Sequence, residues 1–229
     1  MVSLQGGGLK TKEAMTERIN KEEYLAIYDF LREKRCPFEI TSQYYLNEFY
    51  GALLPKGYLS VFKKKLSDLE FDAARQSIEK IRRLDFSYLT TEHLPFSLRP
   101  FSSLEELSFE ASGFRTIPIG FNALPKLKYL DLSRLYGLWY YPKLDGLKSL
   151  EVLALQGLKI DKDSFFDDMF SGLTKLRVLD LRYSRLDSFS FFKSLEGLKT
   201  LEYVDLRGGN YTKPIPSLDC KILTGMNSF

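Results

Sequence analysis

The sequence predicts an α/β solenoid whose short parallel strands stack into one curved sheet on a concave face. Three observations predict it. The pattern apolar-x-x-apolar-x-apolar recurs at Ile81, Leu84, Phe86; Leu104, Leu107, Phe109; Leu127, Leu130, Leu132; Leu150, Leu153, Leu155; Leu176, Leu179, Leu181; and Leu201, Val204, Leu206. The first four starts differ by 23 residues each, and the last two follow at 26 and 25, a fixed period that marks stacked units. The segment leading into each start repeats too. Ten, six and three residues before it stand Leu94, Leu98, Phe101; Ile117, Phe121, Leu124; Tyr140, Leu144, Leu147; Phe166, Phe170, Leu173; and Phe191, Leu195, Leu198.

On these residues the chain resembles a leucine-rich repeat protein, over roughly residues 67 to 216. The resemblance implies one short strand per turn, a core shared between turns, and a phenylalanine spine drawn from Phe86, Phe109, Phe121, Phe165, Phe166, Phe170, Phe189, Phe191 and Phe192. It implies a scaffold, since proteins of that family recognise very different partners. One departure has structural consequences. The family places Asn or Cys eight residues after the first leucine, where this chain has Leu89, Ser112, Leu135, Leu158, Ser184 and Gly209. Without an asparagine ladder, the loop amides and carbonyls must be met by backbone, serine or water.

Taken in order, residues 1 to 12 read as a flexible tail containing Gly6, Gly7 and Gly8 but no apolar run of a signal peptide or anchor. Residues 13 to 66 leave the repeat and read as an N-terminal helical cap or adaptor. Asn20 with Glu23 suits a helix start, and Lys34 and Arg35 before Cys36 and Pro37 suit its end. Tyr24, Ile27, Tyr28 and Leu31 share one face. A second helix is expected over 42 to 54, a third over 58 to 66, and another from Ser67 to about Lys80, feeding the first strand. Open solenoid ends must be covered, so capping is the ordinary use of this region. Six strands follow, starting near 81, 104, 127, 150, 176 and 201, and residues 217 to 229 read as a partial repeat or cap that stalls at Gly225.

Composition excludes several function classes. The 33 basic and 30 acidic side chains give a net charge of +3, too balanced for a nucleic-acid binder. No membrane association is expected, and Lys63, Lys64 and Lys65 read as a solvated face. Cys36 and Cys220 fit no redox or metal spacing, so an intracellular location with free thiols is expected. Asn210, Tyr211 and Thr212 form a sequon that reads as a turn. The Gly-Leu-Lys-Ser/Thr quartets at 146 and 197 occupy the same point of the repeat and are not phosphate loops. His93 is the one histidine, and Asp161, Asp163, Asp167 and Asp168 fail as a calcium loop because Phe166 and Gly172 stand where Gly and Glu are required. Neither cofactor, metal nor catalytic residue is expected.

The outward columns of the sheet remain. Arg82, Glu105, Lys128, Glu151, Arg177 and Glu202 alternate in sign, and strands about 4.8 Å apart put each charge between opposite ones, a self-satisfied arrangement. The next column reads Arg83, Glu106, Tyr129, Val152, Val178, Tyr203. Its last four members form an apolar strip flanked by Asp131, Asp180, Asp205, Arg182, Tyr183 and Arg207, a composition that interface centres favour. Val and Tyr also simply favour strands. Six strands span about 24 Å, room for about 800 Å² of interface. Trp139 and Tyr141 are a second candidate on the rim, with Tyr140 expected inward. The leading expectation is a monomeric, non-enzymatic module that binds a protein partner through Tyr129, Val152, Val178, Asp180, Arg182, Tyr183, Tyr203, Asp205 and Arg207. The alternatives are the substrate-recognition part of a larger enzyme, such as a leucine-rich repeat ubiquitin ligase, or a fragment of a receptor or sensor.

Overall fold

The computed structural model describes Ile27, residues 38–40, Gln76, and residues 78–94, 96–160, 169–186, 189–211 and 218–225. The tail over 1 to 12, most of the expected helices between 13 and 76, and the aspartate cluster at 161 to 168 lie outside them. Strands β2 (Ile81–Asp85), β3 (Glu106–Ser108), β4 (Tyr129–Asp131), β5 (Val152–Ala154), β7 (Val178–Asp180) and β9 (Tyr203–Asp205) form one parallel sheet. Arg83, Glu106, Tyr129, Val152, Val178 and Tyr203 are register partners in succession. The sequence repeat and the sheet ladder are therefore the same object.

Each turn buries its three pattern positions. Leu127, Leu130 and Leu132 are at most 1% exposed, like their counterparts in the flanking turns. No turn could bury these alone, so stacking is what stabilises the column. Phe86 stacks on Phe109 at 5.4 Å, and Phe114, which the repeat pattern does not mark, closes on Phe109 edge to face at 5.3 Å. Phe170, Phe191 and Phe192 form a second such group, and Phe121 is also buried.

Beyond each strand the backbone turns at the residue seven after the start. Tyr88, Ala111, Arg134, Gly157, Tyr183 and Gly208 all have φ between 51 and 69°. This left-handed residue keeps the interturn ladder running: Tyr88 N–H donates to Glu110 O at 2.8 Å, Arg134 N–H to Gln156 O at 2.8 Å, and Tyr183 N–H to Arg207 O at 3.0 Å. Four of the six are not glycine, although only glycine adopts this conformation freely. Serine takes over part of the missing asparagine role. Buried Ser184 donates its hydroxyl to Leu155 O and accepts from Leu158 N–H, both at 3.1 Å, and Ser133 accepts from Gln156 N–H at 3.0 Å.

The return segments are less helical than an α/β expectation implies. Among the described residues of the repeats, they hold a 3-10 turn at Phe121–Ala123 and one α-helix, α1 (Phe189–Leu195). Prolines at 95, 100, 118, 125 and 142 crowd the three 23-residue turns, and each removes a backbone donor. The helix forms in a longer turn free of proline. Gly146 and Gly172, at the same point of successive turns, allow close stacking, because a Cβ at Gly172 would collide with the Asp145 carbonyl. Packing thus accounts for the Gly-Leu-Lys-Ser quartet at Gly146.

Three elements go beyond the six expected strands. Strand β1 (Phe38–Ile40) pairs antiparallel with β2 and covers that edge, in the gap between two expected helices. Ile27 is helical and buried, and Ile78 and Glu79 are helical just before Lys80; apart from Ile27 and β1, the expected helical cap over 13 to 66 lies outside the described residues. At the far edge the seventh turn does not stall. It supplies β11 (Lys221–Leu223), paired parallel with β9 so that Lys221 lies opposite Tyr203 after a shortened, 18-residue turn. A second parallel sheet joins β6 (Lys159–Ile160), β8 (Arg185–Leu186) and β10 (Asn210–Tyr211); two of the three sequon residues therefore form a strand rather than a turn.

Candidate functional site

Two exposed columns cross the solenoid one residue apart, the first at the residue just before each strand from β3 onward and the second at the first residue of those strands, and they have opposite fates. In the first, Arg82 Nε donates to Glu105 Oε1 at 2.9 Å and Lys128 Nζ donates to Glu105 Oε2 at 2.9 Å. Arg177 forms a fork on Glu202 at 2.7 and 3.0 Å and lies 3.9 Å from Glu151. The Arg82 guanidinium, and then the Lys128 ammonium, hold the Glu105 carboxyl down at about 2. Arg177 likewise keeps Glu202 below the ordinary carboxylate range.

In the second column charge ends early. Arg83 donates to Glu106 at 2.6 Å, and then Tyr129, Val152, Val178 and Tyr203 follow in register without a charge among them. The first three are half-buried and Tyr203 is 42% exposed. Parallel pairing places these side chains side by side on one face, because strand residues alternate faces and i aligns with i. The strip is anchored at both ends. Tyr129 Oη donates to Asp131 Oδ2 at 3.2 Å, and burial first, then the Asp131 carboxylate, push its phenol well above the ordinary range. At the other end the Lys221 ammonium lies 5.9 Å from the Tyr203 ring centre, a cation–π contact that the sequence pattern did not reveal because Lys221 sits in the shortened turn.

The charged flank is more committed than its composition implies. Each aspartate caps its own turn: Ser133 N–H donates to Asp131 at 2.8 Å, and Arg182 and Arg207 N–H donate to Asp180 and Asp205 at 3.1 Å. The Arg182 side chain also grips Asp180 through Nε at 3.0 Å and Nη2 at 2.7 Å, and its Nε reaches toward Asp205 at 3.8 Å. Arg207 grips Asp205 in the same way at 2.9 and 2.6 Å. These pairings lower the Asp205 carboxyl and raise the Arg182 and Arg207 guanidiniums. Gln156 adds a bond to Asp180 at 2.9 Å. Tyr183 is 52% exposed, and its ring lies over Gly208, where a Cβ would stand 2.6 Å from Tyr183 Cδ1. All nine expected residues thus fall on β4 to β9 or the turn that follows them, as one surface.

The rim candidate is reversed by one position. Trp139 is 58% and Tyr140 is 72% exposed, whereas Tyr141 packs against the core. Tyr140 aligns with half-buried Ile117, but the inward position of this turn is the following one, held by buried Pro118 in the preceding repeat. Burial pushes the Tyr141 phenol up to about 12. Arg115, paired to Glu92 at 2.8 Å, lies 5.9 Å from the Trp139 ring, and His93 meets that ring edge to face.

Among the described residues no group of three His, Cys, Asp or Glu could hold a metal, and no helix is long and apolar enough to cross a membrane. No model of a known family matches the chain, and neither does any curated protein. Among solved structures it is similar to internalin C2 of Listeria monocytogenes, with 15% identity and a TM-score of 0.37 over 67% of this chain and 84% of that one. The fold rests on the chain's own geometry: a parallel solenoid advancing about 23 residues per turn, with its pattern leucines buried, fits a leucine-rich repeat protein.

Proposed function

We propose that the chain is a non-enzymatic protein-interaction module that binds a protein partner through the middle and C-terminal part of its concave face. The observation that carries this reading is the registered strip of Tyr129, Val152, Val178 and Tyr203, apolar side chains on an outward sheet face whose neighbouring column is paired within itself. Such side chains gain most from being covered, and tyrosine supplies area at little conformational cost. Tyr183 extends the surface at its C-terminal margin. Arg182 and Arg207 contribute donors that their aspartates leave unused, in an orientation those aspartates fix, while Asp180 and Asp205 act mainly by holding them. Charge therefore sets the rim and apolar area the affinity.

The test is affinity capture from lysate of the source cell with wild-type chain and Tyr203→Ala, with mass spectrometry of the retained proteins. A protein held by wild type and lost by the folded variant supports the strip. Equal retention by both would remove it.

A further inference from the structure

The rim beside the sheet carries a cavity that shares no residue with the concave strip. Leu135, Tyr136, Leu138, Trp139 and Tyr141 line a cavity of about 170 Å³ whose remaining wall is Lys159, one repeat on from Tyr136. A cavity of about 150 Å³ accepts a benzene ring, so this one holds a single apolar side chain. Its walls are supported from behind: Trp139 N–H donates to Arg115 O at 3.0 Å, and Arg115 and His93 pack on the indole.

The charges around it are not equivalent. Arg115 is committed to Glu92 at 2.8 Å and Arg134 to Glu110 at 3.4 Å. Among the described residues, no carboxylate pairs with the Lys159 ammonium, which is exposed. The cavity therefore combines aromatic and leucine walls with a cation that no carboxylate among the described residues pairs, bordering the same small space. A ligand that satisfies both must carry its apolar group and its carboxylate close together. In the last residue of a peptide they branch from one Cα atom, whereas an aspartate or glutamate within a chain presents its carboxylate on a side chain of its own. Capture of a terminal carboxylate by a cation is a known mode of peptide recognition, and charge-assisted hydrogen bonds are the stronger kind.

We infer that this rim pocket binds the C-terminal residue of a peptide, with its apolar side chain among Tyr136, Trp139 and Tyr141 and its α-carboxylate on Lys159. Trp139 is the chain's single tryptophan, so its emission reports on this pocket alone. The full chain is titrated with acetyl-Gly-Gly-Leu as free acid, with its C-terminal amide, and with acetyl-Leu-Gly-Gly, whose leucine is distant from the carboxylate. The free acid produces a saturable change in Trp139 emission below about 10 mM, and the other two bind about tenfold more weakly or not at all. Lys159→Met, at an exposed position that leaves the thermal midpoint unchanged, reduces the free acid to the level of the amide. Equal binding of acid and amide, undiminished binding of the acid by K159M, or no saturable change with the acid would overturn the inference. None of these outcomes depends on the concave strip.

Discussion

Two columns cross the solenoid one residue apart, the charged one at the residue just before each strand from β3 onward, and they meet solvent in different ways. In the column of Arg82, Glu105, Lys128, Glu151, Arg177 and Glu202 the side chains find partners within the fold. In the column of Tyr129, Val152, Val178 and Tyr203 the side chains are held at the margins, by Asp131 and Lys221, and offer apolar surface between them. Both columns recur once per turn, so the chemistry of the repeated side chain decides what each becomes. A parallel ladder repeats whatever it is given: alternating charges cancel, and repeated apolar groups accumulate area. The first column favours the correct stacking order, since a slip of one turn would bring like charges together, whereas the apolar strip is indifferent to such a slip.

The largest test breaks what both columns stand on. Leu153 is fully buried between Leu130 and Leu179, and Leu153→Ala is expected to cost about 2–5 kcal/mol of stability in urea unfolding, disturbing both columns together. Tyr203→Ala comes next. It leaves stability within about 0.5 kcal/mol, as exposed sites do, but weakens partner binding by about 2 kcal/mol, in the range of an interface anchor. Tyr129→Phe isolates the hydroxyl bond to Asp131 and is expected to cost about 1 kcal/mol of stability while keeping the ring available to a partner. The smallest effect belongs to the charged column. Glu105→Gln is expected to lower stability by a few tenths to about 1 kcal/mol. Because Glu105 titrates at about 2 rather than at the ordinary 4.5, its contribution is complete above pH 4.5 and fades as the pH falls toward 2. The difference between wild type and E105Q in urea midpoint should therefore close over that interval.

Much of this arrangement was legible in the sequence because it depends on periodicity. Buried leucines at a fixed interval set the strands and their register, and that register aligns Tyr129, Val152, Val178 and Tyr203 in one column. Features that do not follow the period are not visible in it. The left-handed residue of each turn was invisible because Tyr88, Ala111, Arg134 and Tyr183 occupy positions where glycine would have announced it. The bonds of Arg182 and Arg207 to aspartates two residues earlier lie within one turn of the solenoid rather than between turns, so alignment of repeats does not display them. The seventh strand was missed because its turn is shortened to 18 residues and no longer obeys the period. The inward position at Tyr141 is hidden because the preceding repeat fills it with Pro118, which breaks the apolar pattern.

The most direct test of the central claim is calorimetric titration of a captured partner against three chains: wild type, Tyr129→Ala/Tyr203→Ala, and Glu105→Gln/Glu202→Gln. If the apolar column binds and the charged column only stabilises, the tyrosine pair loses affinity by at least about tenfold, the equivalent of about 1.4 kcal/mol, and the glutamate pair binds as wild type does. Retained affinity in the tyrosine pair together with lost affinity in the glutamate pair would contradict the account and transfer the recognition surface to the ion ladder.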